Sequence, residues 1–193
     1  MKGLDRREAV ARLLAGRSPD LLVVTGLGSS TYDVMAAGDD DRNFYLWGAM
    51  GGAAMVGLGL AKTQPDKTVL VVTGDAELMM GLGALATIAV QKPANLVIAV
   101  LDNGHFGETG MQASHTGLGV ALDKVAASMG FAWTGSISDL AGVDALREKV
   151  NARLGAGLAV LKIEAENPPR VLPPRDGAHL KNRFRAALGF PTN

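Results

Sequence analysis

The sequence predicts an α/β fold, a doubly wound parallel sheet flanked by helices. Three observations carry that prediction: short, nearly continuous apolar runs, segments of helical period between them, and regular alternation of the two along the chain. A strand buried on both faces reads as an unbroken apolar run, and helices are the usual crossovers between parallel strands. With 193 residues, 48% of them hydrophobic, the chain suits one domain, 1–193, able to bury roughly 70% of its unfolded surface.

The elements follow in order. Residues 4–15 place Leu4, Ala9, Val10, Leu13 and Leu14 near a helical period, with Gly16 as a stop. LLVVTG (21–26) reads as a buried strand, and GLGSSTYDVMAAG supplies a glycine turn, a hydroxyl cap and a short helix. FYLWG (44–48) is a short strand. GGAAMVGLGLAKTQ (51–64) is a small-residue helix whose glycines cost stability unless another backbone packs closely. TVLVVTGD (68–75) is a strong strand, and residues 77–91 form a helix with Leu78, Leu82, Leu85, Ala86 and Ala89 on one face, closed by Pro93. LVIAVLDN (96–103) is the next strand, followed by a polar, glycine-rich loop from 104 to 119. A helix (120–129), FAWTG (131–135) as strand, a helix (139–154) and LAVLKIE (158–164) as strand complete the alternation. Residues 166–193 form a proline-rich arm ending in a short amphipathic helix with Leu180, Phe184, Ala187 and Leu188, placed to cover a partner chain or the chain's own sheet edge.

Nineteen basic residues balance nineteen acidic ones without a long run of either sign, which argues against nucleic acid and membrane surfaces as partners. The absence of cysteine excludes disulfides and thiolate metal sites. The charged N-terminal segment makes a poor signal peptide and no apolar run is long enough to span a bilayer, so the expectation is a soluble, cytoplasmic protein.

The chemistry gathers where two strands end. In an open parallel sheet, ligands bind beyond the carboxyl ends of the strands. Gly74-Asp75-Ala76 ends one strand and Asp102-Asn103 ends the next. Adjacent strands therefore bring together a carboxylate and an amide oxygen, hard ligands suited to magnesium shared with phosphate oxygens. The helix expected from Glu77 points its N–H groups at the same place. An aspartate at a strand end, taken alone, more often caps a helix or turn.

This arrangement resembles the thiamine diphosphate enzymes, whose diphosphate-binding domain carries Gly-Asp-Gly and, slightly under thirty residues later, Asn-Asn or a variant; Asp75 and Asn103 lie 28 positions apart. The resemblance implies thiamine diphosphate and Mg2+ as cofactors, with Asp75, Asn103 and the backbone carbonyl of His105 as metal ligands. It implies cofactor contacts from Gly74, Ala76, Glu77, Phe106 and Gly107. GAMGGA (48–53) resembles the segment under the aminopyrimidine, with Gly48 offering a carbonyl and Met50 wedged between the two cofactor rings. Two residues depart from the pattern: Ala76 replaces a glycine, and Glu77 puts a carboxylate beside the diphosphate unless its side chain turns away. Within the family, YLWGAMGGAAMVGLGLA, GDAELMMGLGALATIA and LDNGHFGETGMQASHTG look closest to phosphonopyruvate and sulfopyruvate decarboxylases.

That likeness implies non-oxidative decarboxylation of a small 2-oxo acid to an aldehyde. His105, Glu108 and His115, in the polar loop, are candidates for proton delivery or recognition of an anionic substituent, although a loop that is merely solvated or orders the cofactor would carry the same residues. The family's activating glutamate lies on a separate pyrimidine-binding domain, and none of Glu8, Glu77, Glu108, Glu148, Glu164 and Glu166 has a matching context. The expectation is a hetero-oligomer in which a pyrimidine-domain α subunit supplies that glutamate. Carboligation, another thiamine reaction, or a non-catalytic scaffold remain alternatives. Dinucleotide binding, suggested by VVTGLGSSTYD, lacks the third glycine and an acidic residue after FYLWG.

Overall fold

A computed structural model describes residues 3–192. Six parallel strands form the main sheet: β1 (Leu21–Thr25), β2 (Asn43–Tyr45), β3 (Thr68–Gly74), β4 (Leu96–Asp102), β7 (Trp133–Ile137) and β8 (Gly157–Lys162). Their order is β2-β1-β3-β4-β8-β7. The chain leaves β1 toward β2 and then crosses to β3 on the other side, so a switch point lies between β1 and β3. The central strands are buried along almost their whole length and apolar between their ends because both faces are covered.

Alternating side chains divide the core. Leu22, Val24, Val69 and Ile98 face a layer built by α3 (Ala53–Thr63), α5 (Gly83–Gln91), α6 (Leu122–Met129) and the final helix α8 (Gly177–Ala187). Leu21, Val23, Leu70 and Val97 face α1 (Arg6–Leu14), α2 (Ser29–Ala36) and α7 (Leu140–Ala152). Gly57 explains one glycine of α3: an added Cβ would come within 2.4 Å of Val71 Cγ2, so the helix lies directly on the sheet. Gly59 meets no such neighbour.

The helix expected over 77–91 is two helices, α4 (Asp75–Met80) and α5. The break falls at Gly81, where an added Cβ would lie 2.2 Å from the Gly51 carbonyl oxygen. Two backbones touch there, and a continuous helix bearing side chains would not fit. The 104–119 loop folds part of itself into a small antiparallel pair, β5 (His105–Phe106) and β6 (Gln112–Ala113).

The C-terminal arm packs on this chain. Phe184 meets Phe44 edge-on at 5.5 Å, and Arg183 pairs with Asp39 at 2.7 Å, so α8 covers the β2 edge of the sheet. Among the described residues, no helix is long and apolar enough to cross a membrane.

Candidate functional site

A cavity of about 410 Å³ opens at the switch point, where β1, β3 and β4 end. Met50, Gly74, Asp75, Ala76, Glu77 and Asn103 border it, as do His105, Phe106, Gly107 and Glu108. Gly48 and His115 do not. Gly48 adopts φ +74°, a conformation suited to glycine, in the exposed turn that leads to Met50. His115 is exposed and packs its ring edge-on against Phe106 at 6.2 Å.

Asp75 is 2% exposed, held where β3 passes directly into α4. Ser114 Oγ donates to its Oδ2 at 2.5 Å, and Thr116 Oγ1 lies 2.7 Å from the same oxygen. Thr116 Oγ1 also lies 2.7 Å from Asp102 Oδ1 and 2.9 Å from Ser114 Oγ. Each hydroxyl has a single proton, so these contacts hold more acceptor oxygens than protons. Lys162 pairs with Asp102 and relieves that side of the network. The Asp75 side, which faces the cavity, has no cation paired with it among the described residues and is suited to receive one. Ser114, Thr116 and Lys162 escape sequence reading because they orient the acidic pair from a loop and a strand remote in the chain. The hydroxyl cluster at the end of HFGETGMQASHTG was the available signal.

Asn103 follows β4, and its Oδ1 accepts from the His105 backbone N–H at 3.0 Å. This turn aligns the amide with the chain that carries the His105 carbonyl. His105 Nδ1 lies 2.8 Å from the Asn103 carbonyl oxygen. A carbonyl only accepts, so Nδ1 carries the proton and Nε2 is the acceptor of the neutral ring. Among the described residues, no three His, Cys, Asp or Glu side chains converge as a metal site. The candidate set depends instead on one carboxylate with amide and backbone oxygens.

The Glu77 side chain is buried beside the ends of β1 and β3, packed against Gly26. Its Oε1 accepts from Gly51 N–H at 2.7 Å at the entry to α3, and Gly26 leaves the space it fills, since a Cβ there would lie 2.3 Å from Oε2. Burial pushes its carboxyl up to about 7, opposed by the backbone donors of Gly51 and Ala53. Glu77 thus ties the Asp75 turn to the Met50 segment, a structural role that the sequence pattern did not reveal.

Glu108 is held from two sides: Ser29 Oγ donates to Oε1 at 2.8 Å, and Arg170 Nη2 pairs with Oε2 at 2.9 Å. Asn167 Nδ2 donates to the Gly107 carbonyl at 2.9 Å. The arm therefore braces the loop beside the cavity, and neither Asn167 nor Arg170 was marked by sequence reasoning. Deeper in the wall, buried Arg6 bonds Asp33 at 2.7 Å. Burial raises the Asp33 carboxyl, while Arg6 and Arg7 pull it down.

Fold and cavity together define the class: a doubly wound α/β domain with a cavity at the switch point of its sheet. The family model for the thiamine pyrophosphate enzyme C-terminal TPP-binding domain matches residues 28–163, and the chain belongs to that family. It is 41% identical over 128 residues to the sulfopyruvate decarboxylase subunit beta of Methanothermobacter thermautotrophicus, covering 66% of this chain and 68% of that one. It is 37% identical over 191 residues to the phosphonopyruvate decarboxylase of Streptomyces viridochromogenes, covering 96% of this chain and 47% of that protein. The fold matches the thiamine diphosphate-dependent 4-hydroxybenzoylformate decarboxylase of Rhodococcus jostii RHA1 with TM-score 0.73 at 20% identity, over 87% of this chain and 34% of that one. The chain thus spans about half or less of the latter two proteins.

Proposed function

We propose that the chain is the diphosphate-binding subunit of a thiamine diphosphate-dependent decarboxylase acting on sulfopyruvate, phosphonopyruvate or a similar small 2-oxo acid. The observation that carries this reading is the buried Asp75 carboxylate, oriented by Ser114 and Thr116, in one cavity wall with Asn103 and the His105 turn. Asp75, Asn103 and the His105 carbonyl would hold Mg2+ against the diphosphate, and the acceptor-rich network around Asp75 fits a divalent cation. Met50, 45% exposed on the cavity rim, would support the cofactor rings, and Gly48 would offer its carbonyl to the pyrimidine.

When bound, thiamine diphosphate supplies the nucleophilic carbon and the electron sink for loss of carbon dioxide. The protein positions that chemistry. Glu77 fixes the approach of the Met50 segment, and Phe106 and Gly107 line the wall. His105 Nε2 is available to take up or return a proton, whereas Glu108 is engaged by Ser29 and Arg170 and serves first to order the loop. The glutamate that activates the pyrimidine would come from a partner subunit, consistent with the β-subunit name of the methanogen relative. Release of carbon dioxide from sulfopyruvate and phosphonopyruvate tests this. Turnover is expected from the chain co-expressed with a pyrimidine-domain partner, and full turnover by the isolated chain would contradict the split site.

A further inference from the structure

Arg6 opens α1, yet it is only 5% exposed and borders the cavity near Ser29 and Ser30. A guanidinium is costly to bury unless it is paired and hydrogen-bonded. Arg6 Nε donates to Asp33 Oδ2 at 2.7 Å, and Arg7 Nε lies 2.7 Å from Asp33 Oδ1. One carboxylate between two guanidinium groups leaves the cluster positive. Arg7 Nη2 donates to the Pro169 carbonyl at 2.8 Å, away from the cavity wall. The Nη nitrogens of Arg6 make no hydrogen bond among the described residues. Arg6 is also the only arginine or lysine bordering the cavity among those residues; the other charged side chains there, apart from His105, are Asp75, Glu77 and Glu108.

We propose that Arg6 is an anchor for the diphosphate, offering its Nη groups to phosphate oxygens in the cavity shared with Asp75 and Asn103. The proposal rests on the cofactor reading above. A diphosphate carries more negative charge than one magnesium ion cancels, and Asp75 adds to the excess. Arg6 supplies a cation from the chain itself, and its planar fork matches phosphate geometry. Asp33 holds Nε, which fixes the plane of the fork before any ligand arrives. Arg6 is therefore a binding and positioning residue outside the Gly-Asp and Asp-Asn motifs.

Calorimetric titration of the full chain with inorganic pyrophosphate and magnesium tests the assignment, with sulfoacetate as a second probe. Arg6→Gln is expected to weaken pyrophosphate binding about 10- to 100-fold, as for loss of a charge-assisted contact. Arg7→Gln, which removes the other partner of Asp33, is expected to stay within about threefold of wild type. Should Arg6→Gln fail to fold, the double variant Arg6→Gln/Asp33→Asn removes the buried carboxylate with its partner and carries the same expectation. Equal losses in the Arg6 and Arg7 variants, or none in Arg6→Gln, would overturn the proposal. So would loss of sulfoacetate binding with pyrophosphate binding intact, which would move Arg6 to the substrate. If Asp75→Ala abolishes magnesium-dependent binding while Arg6→Gln does not change it, Arg6 alone is rejected; if the wild type shows no such binding, the cofactor reading fails and Arg6 with it.

Discussion

Glu77 stands two residues after Asp75 and does different work. Its side chain is 4% exposed, and its folded carboxyl titrates at about 7 against an ordinary value of 4.5. The folded chain therefore binds a proton between those values that the unfolded chain has already lost. That stabilisation is complete below about pH 4.5 and disappears as pH rises through about 7. Urea unfolding in chelator should show a pH-dependent loss of about 2–3 kcal/mol attributable to this group between pH 4.5 and 8. Glu77→Gln keeps an acceptor for Gly51 N–H and removes the charge, so it should flatten that part of the profile; an unchanged slope would assign the titration elsewhere. Thr116 offers a second test at this scale. Thr116→Val keeps the shape but removes the hydroxyl between Asp75 and Asp102, and should weaken magnesium-dependent cofactor binding by about tenfold in titration calorimetry while changing the melting temperature little.

The elements show what the sequence could disclose. Apolar runs such as LVIAVLD mark β4 because a strand covered on both faces has no polar side to display. The Asp75–Asn103 spacing marked two residues that border one cavity because adjacent strands of one sheet fix where their ends lie. Gly81 was hidden inside a good helical pattern, because what interrupts α4 and α5 is the Gly51 backbone, distant in sequence. Arg6, Ser114 and Thr116 were hidden for the same reason: long-range packing of a helix and a loop brings Arg6 to the cavity and the two hydroxyls to Asp75. Gly81→Ala should cost about 1–3 kcal/mol in chemical unfolding, since its Cβ meets a backbone carbonyl that cannot rotate aside. A neutral effect would mean that the two segments separate easily.

At the scale of the whole molecule, the parallel sheet places the ends of β1, β3 and β4 around one cavity, while the arm returns from the far end of the chain to brace its rim. The arm's own helix is fastened on the β2 edge through Phe44, Phe184 and the Arg183–Asp39 pair. The proposed division of labour follows from that layout: this chain would grip the diphosphate and support the rings, and a partner would act on the pyrimidine. The central claim is tested most directly by calorimetric titration of thiamine diphosphate into the chain co-expressed with a pyrimidine-domain protein as the proposed partner, with and without magnesium, beside the Asp75→Ala variant. The account predicts magnesium-dependent binding in the wild type and a loss of about 100-fold or more in a variant that remains folded by circular dichroism. Magnesium-independent binding, or an Asp75→Ala protein that binds as the wild type does, would contradict it.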